Sequence, residues 1–107
     1  MIYLASPYKH EDKAVMEDRY KKTLEVTARL LLAGHHVFSP IVYGHHLAKE
    51  HKLPEGFGFW ERFDTKFVLM CEEMYVLCLD DWQYSRGVLS EMMLASNMKK
   101  RIKLIYY

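Results

Sequence analysis

The chain has 107 residues, enough for one domain over 1–107, since two cores cut from it would each fall near the size where folding alone becomes marginal. Half of the residues are hydrophobic and 14% are aromatic, a composition that builds a packed core and excludes a disordered chain. Fifteen Lys+Arg against fourteen Asp+Glu leave a formal charge of +1, which argues against direct DNA binding through a basic face, and no apolar run approaches the roughly 20 residues of a membrane helix.

The opening MIYLA is short, β-rich and apolar on both sides of its alternation, which predicts a strand buried on both faces. No basic region precedes an apolar stretch there, so the N-terminus does not read as a secretory signal. Ser6 to Asp12 follows as a loop, with Glu11 and Asp12 suited to the positive end of a helix. From about Lys13 to Ala33 the spacing is helical. Met16, Tyr20, Leu24, Thr27 and Leu31 form the expected core stripe, and Gly34 is the expected C-cap. His36 to Ser39 reads as a second short strand stopped by Pro40. Ile41 to Gly58 reads as a loop with one short helix near Gly44 to Lys52, and loops of that length are often functional.

Phe59 to about Cys71 is a further predicted helix. Met74 to Leu79 is the most strand-like run, Ser85 to Met98 another helix, and Arg101 to Tyr106 a last strand. Helices alternating with apolar strands predict an α/β domain. Its parallel sheet would have four to five strands, the first of them central, with helices on both faces in a flavodoxin- or Rossmann-like arrangement. Ligands bind beyond the C-terminal strand ends of such sheets. Here those ends are Ala5 to Tyr8, Ser39-Pro40 and Asp80 to Ser85.

Two acids stand on apolar faces. In the last helix Val88, Leu89, Met92 and Ala95 form the expected core side, and Glu91 sits on its flank with Gly87 one turn before it. The missing side chain at Gly87 leaves space that a ligand could fill. The bland alternative is a Glu that snorkels to water. Asp64 shares its helix face with Trp60, Phe67 and Cys71. It is too short to snorkel, so it needs partners or a raised pKa. Its bland alternative is a structural acid bonded to a neighbouring loop. Paired carboxylates are the usual equipment for cleaving a glycosidic bond. Ser85-Arg86-Gly87 opens a helix at a strand end, where N–H groups, a hydroxyl and the dipole favour an anion, with Ser6 as a second hydroxyl. Simple N-capping is the alternative for Ser85.

Tyr3-Leu4-Ala5-Ser6-Pro7-Tyr8, Asp64 in a helix, an apolar strand, and Ser85-x-Gly87-x-x-x-Glu91 together resemble the nucleoside 2-deoxyribosyltransferase superfamily. The likeness is greatest to a branch of short phage and bacterial proteins that open with YLASPY. That branch carries SPIVxGHxLA (here Ser39 to Ala48), WxxFD (here Trp60 to Asp64) and DxWxxSRGVxxE (here Asp80 to Glu91). The resemblance implies Glu91 as nucleophile, Asp64 assisting at the base, and Tyr3 beside the sugar. Characterised transferases carry an acid where Ser85 stands. The 2'-deoxynucleoside 5'-monophosphate N-glycosidases carry Ser there, in contact with the 5'-phosphate. Ser85 and Ser6 therefore tilt the implied reaction towards a nucleotide. Gly87-Val88 departs from the usual Gly-Thr step. The resemblance further implies a homo-oligomer, with neighbouring subunits completing each other's sites, and neither cofactor nor metal.

Among the six histidines, His45, His46 and His51 lack a Cys or acid at ligand spacing, so a metal site is not expected. His45 is expected in a loop, reaching a substrate base or phosphate, with Tyr8 and Gly87 as further substrate contacts. Cys71 and Cys78 fit neither a disulfide framework nor a zinc spacing and suit a reducing cytoplasm. The cluster of Lys99, Lys100, Arg101 and Lys103 suits a helix C-terminus. Phe57, Phe59, Trp60 and Phe63 are dense enough to serve core, base stacking or a subunit contact. The expected function is cleavage or transfer at the N-glycosidic bond of a nucleoside or nucleoside 5'-monophosphate. The rival is a nucleotide-binding or nucleotide-sequestering module without turnover.

Overall fold

The computed structural model describes residues 1–54 and 56–107, the side chain of Phe57 excepted. Strand β1 (Ile2–Ala5) is buried at every residue because its two faces meet two different cores. Ile2 and Leu4 pack with Val26 of helix α1 (Lys13–Leu32) and with Tyr75 and Leu77 of strand β3 (Glu73–Leu77). Tyr3 and Ala5 point the other way. They meet Val68 of helix α3 (Phe57–Met70) together with Val88 and Ala95 of helix α4 (Arg86–Asn97). Strand β2 (Val37–Phe38) and strand β4 (Arg101–Ile105) complete a four-stranded sheet in the order β2-β1-β3-β4, with every pairing parallel. The α/β architecture with helices on both faces matches the reading of the strands, and β1 shares the sheet's interior with β3. No helix among the described residues is long and apolar enough to cross a membrane.

Three local expectations change. The buried face of α1 runs through Met16, Tyr20, Thr23, Val26 and Thr27, whereas Leu24 and Leu31 are exposed. Successive steps of four residues overshoot the 3.6-residue turn, so both leucines rotate off the core. Leu89 of α4 is likewise exposed, leaving Val88 and Ala95 as the fully buried positions. The short helix expected near Gly44 to Lys52 begins earlier, directly after β2, as α2 (Pro40–His51). Ser39 caps it by accepting from the Val42 N–H at 3.1 Å, and Pro40 occupies the first turn, where no intrahelical N–H is required. Pro40 thus begins an element as well as ending one. Helix α2 stops at Lys52, which takes a left-handed φ of 53°. Elsewhere the caps are local: Asp12 accepts from Ala14 N–H at 2.8 Å at the start of α1, and Gly34 turns the chain after it with a φ of 95°.

Candidate functional site

From β1 the chain crosses through α1 to β2, and from β3 it crosses through α4 to β4, on the other side of the sheet. The strand order reverses between β1 and β3, so their departing loops separate and leave a crevice at their C-terminal ends. A cavity of about 440 Å³ opens there, within the size range of small-molecule sites. Ser6, Tyr8 and Lys9 line it from the loop after β1. Gly44 and His45 line it from α2, Trp60 and Asp64 from α3, and Ser85, Gly87 and Glu91 from the start of α4.

Glu91 is placed by α4, whose first turn is fixed when Ser85 accepts from the Val88 N–H at 3.3 Å. The capping alternative for Ser85 is therefore realised, on a residue that also lines the cavity. Tyr3 reaches Glu91 from below and donates its phenol proton to Glu91 Oε2. Burial pushes the Glu91 carboxyl up to about 8; the Tyr3 hydrogen bond pulls against that rise and the Asp64 charge adds to it. Burial, then the Glu91 and Asp64 charges, raise the Tyr3 phenol well above its ordinary value, so it stays a donor. The resemblance implied an aromatic ring beside the sugar. The Tyr3 ring is instead fully buried, and what reaches the site is its hydroxyl, held at Glu91.

Asp64 is pushed up to about 7 by burial. Its Oδ1 is buried and has no hydrogen-bond partner among the described residues. An unmet polar group of this kind costs on the order of 1–3 kcal/mol, a penalty that a ligand donor at that atom would relieve. Ser6 is buried, and its hydroxyl lies 3.3 Å from Thr23 Oγ1, whose own proton goes to the Arg19 carbonyl at 2.7 Å, so Ser6 is the donor of the pair.

His45 departs furthest from expectation. It sits in a helix rather than a loop, and both ring nitrogens are engaged by the protein. Nδ1 lies 2.6 Å from the Tyr8 hydroxyl and Nε2 lies 3.0 Å from Glu17 Oε2. The ring lines the cavity, but a substrate cannot take either nitrogen without displacing one of these partners.

A family model described as a domain of unknown function, DUF1937, matches residues 1–106. The chain belongs to this family. No curated protein matches it. DUF1937 membership therefore covers the whole site, from the Tyr3–Glu91 contact to the cavity rim, and brings no chemistry of its own.

Two DUF1937-domain residues that shape the cavity carry no obvious signal in the sequence. Glu17 meets His45 from 28 positions away. Arg19 is buried, and its guanidinium donates to three backbone carbonyls: Lys9 at 3.1 Å, Tyr8 at 3.4 Å and Asp80 at 3.4 Å. It thereby ties the loop after β1 to the loop after β3. The one available clue was a cation falling three residues after Met16, on the buried side of α1.

Proposed function

We propose that the chain cleaves the N-glycosidic bond of a nucleoside or nucleoside 5'-monophosphate. The observation that carries this reading is the pair of carboxyls, Asp64 and Glu91, which face one cavity at the switch point of the sheet while burial raises both. A low-dielectric pair of acids is the equipment for a transition state that develops positive charge on a sugar. Ionised Glu91 attacks C1', and the electron pair of the glycosidic bond leaves with the base. Asp64 gives its proton to that base. Water or a second base then attacks C1', freeing the Glu91 carboxylate, with the incoming nucleophile's proton returning to Asp64. Ser85 and the N–H groups at the start of α4 suit a 5'-phosphate. The resemblance adds a homo-oligomer to this reading. Two free thiols, Cys71 and Cys78, together with a nucleotide substrate suit the cytoplasm.

A second reading draws on the same two groups. Carboxyls raised to about 7 and 8 hold protons near neutrality. Protonated acids donate hydrogen bonds without attacking, which suits a nucleotide-binding module without turnover. The experiment that separates the two incubates the protein with a panel of nucleosides and their 5'-monophosphates and follows free base by chromatography. The hydrolytic reading expects base release that falls by several orders of magnitude in Glu91→Gln while binding survives. Asp64→Asn should slow release most for bases that must be protonated to leave. Tight nucleotide binding with no base released by wild type selects the binding module. Wild-type turnover in Glu91→Gln removes Glu91 from the chemistry.

A further inference from the structure

The two edges of the sheet are built differently. Strand β2 has two residues and stops at Ser39-Pro40, so that edge offers little backbone to a neighbour. Strand β4 keeps unbroken parallel register with β3 over five pairs, from Glu73 beside Arg101 to Leu77 beside Ile105, and contains no proline. Among the described residues nothing pairs with its outer side. The Ile105 carbonyl accepts from the Cys78 N–H at 2.8 Å, so Ile105, and with it Lys103 and Arg101, turn their backbone groups to β3. Ile102 and Leu104 therefore turn theirs outward. Their side chains share the α4 face with Met74 and Val76, their register partners on β3, and Leu104 is 41% exposed. Helix α4 packs on β3 and β4. It turns Glu91 and Leu94 to the cavity, which leaves Leu89 and Met93 exposed on its opposite side, towards the free edge. The cations of β4 project on the other face, where Lys103 is drawn over the Tyr75 ring at 5.4 Å and does not guard the edge.

We propose that β4 is a self-association edge, on which a second copy of this chain adds its own β4 antiparallel about a two-fold axis at Leu104, joining the two sheets edge to edge. A two-fold contact requires a surface that matches its own reverse. With the axis at Leu104, that residue faces its counterpart and the two exchange both outward backbone bonds, while Ile102 faces the partner's Tyr106. Arg101 and Lys103 then face the partner's Tyr107 and Ile105, so no cation stands opposite a cation. The arrangement is complementary in charge as well. Tyr107 donates to Glu25 Oε2, which brings a carboxylate to the end of the strand where the other copy's Arg101 arrives. The neighbouring register, centred on Lys103, sets two lysines directly opposite each other, and like charges in that position are destabilising. On the α4 face Leu104, Leu89 and Met93 come against the same residues of the second copy. A generic peptide would satisfy the backbone groups alone; this chain's own β4 also matches the side chains on both faces. The contact does not depend on the cleavage reading. It lies at the opposite sheet edge from β2 and α2, and so is distinct from a contact near residues 44–60.

The test combines sedimentation equilibrium with amide hydrogen exchange, both on the whole chain. Wild type should self-associate. The Ile102 and Leu104 N–H groups face solvent in the monomer, so their exchange should slow by about tenfold as concentration rises through the association midpoint. The Lys103 N–H, turned to β3 in either state, should change far less. Leu104→Pro removes an outward N–H that β3 does not use, and proline is tolerated on strand edges. It should keep the circular dichroism spectrum and cooperative urea unfolding of wild type while association weakens by at least about tenfold, the scale of lost backbone hydrogen bonds. Met93→Glu lies on the exposed side of α4, outside the strand, and should weaken association likewise; it carries the test if the proline variant fails to fold. Tyr43→Glu, beside Phe38 at the far edge of the sheet, should leave the protection of Leu104 unchanged. A wild type that stays monomeric to near-millimolar concentration overturns the proposal. So does an associating wild type whose Leu104 exchange is independent of concentration, and so does association that Tyr43→Glu abolishes while Met93→Glu leaves it intact, which puts the contact near residues 44–60.

Discussion

Replacing Glu91 with Gln should stabilise the fold at alkaline pH and leave it unchanged at acid pH. The carboxyl titrates at about 8 in the folded chain against an ordinary 4.5. Between those values the folded state keeps a proton that the unfolded chain has released, so stability declines as pH rises and the full penalty is present above pH 8. Each pH unit in that window corresponds to about 1.4 kcal/mol, which puts the ceiling for the whole displacement at about 5 kcal/mol. The carboxyl faces an open cavity and the denatured chain is not featureless, so about 2–3 kcal/mol is the working figure. Gln keeps the shape and still accepts from the Tyr3 phenol, but never acquires the charge. Urea unfolding followed by circular dichroism at pH 5, 7 and 9 gives the comparison. The two proteins should coincide at pH 5 and separate progressively, with Gln the more stable at pH 9. If the variant tracks wild type throughout, or is the weaker at pH 9, burial of a charge is not what sets the Glu91 titration, and the argument for a stored electrostatic cost at this site fails.

Tyr3→Phe removes the interaction among the described residues that lowers the Glu91 pKa, so the ascending limb of base release, expected near pH 8, should move to higher pH; a limb that stays in place refutes the coupling. Ser85→Ala should cost about 1 kcal/mol in thermal or urea unfolding through the lost α4 cap. The same variant should narrow the preference for a nucleoside monophosphate over its nucleoside in calorimetric binding, and an unchanged preference would leave Ser85 as a cap alone. Light scattering at micromolar concentration should find a symmetric oligomer, most simply a two-fold dimer with the segment 44–60 near the contact; Glu55 and the Phe57 side chain of that segment lie outside the described residues.

The parts of the fold legible in the sequence were those whose signal is local. MIYLA and the run Met74 to Leu77 are apolar without strict alternation because each is covered on both faces, and this continuity marks a parallel sheet before any pairing is known. Helix α2 was harder to read because Ser39-Pro40 carries two messages. Proline ends a strand, and at the first turn of a helix it also costs nothing; only the Ser39 cap on Val42 N–H decides between them. The α1 stripe failed for a different reason. Thr23, Thr27 and Arg19 are buried on it while Leu24 and Leu31 are exposed, so hydrophobicity ranks these positions in the wrong order. The threonine hydroxyls are satisfied inside the helix, donating to the Arg19 and Thr23 carbonyls at 2.7 Å, and so are tolerated in the core.

The same distinction separates what was readable in the site from what was not. Asp64 and Glu91 could be picked out because a carboxyl on an apolar helix face is an anomaly within one or two turns of chain. What each carboxyl does with its proton depends on groups that only the fold delivers. Tyr3 arrives at Glu91 across 88 positions, and its phenol is kept protonated by the burial that also raises Glu91. Asp64 receives no such donor at Oδ1 among the described residues. The two acids are therefore inequivalent in a way that their sequence contexts do not show. A hydrogen bond to the ionised form favours ionisation at Glu91, but burial outweighs it and holds Glu91 (about 8) above Asp64 (about 7), so cleavage near neutral pH draws on the fraction of molecules in which Glu91 is ionised and the proton sits on Asp64. The opposition of the Tyr3 donor to burial enlarges that fraction. It also gives a buried tyrosine on the central strand a reason to carry a hydroxyl, because phenylalanine would fill the same volume and leave Glu91 without the donor that opposes its protonation.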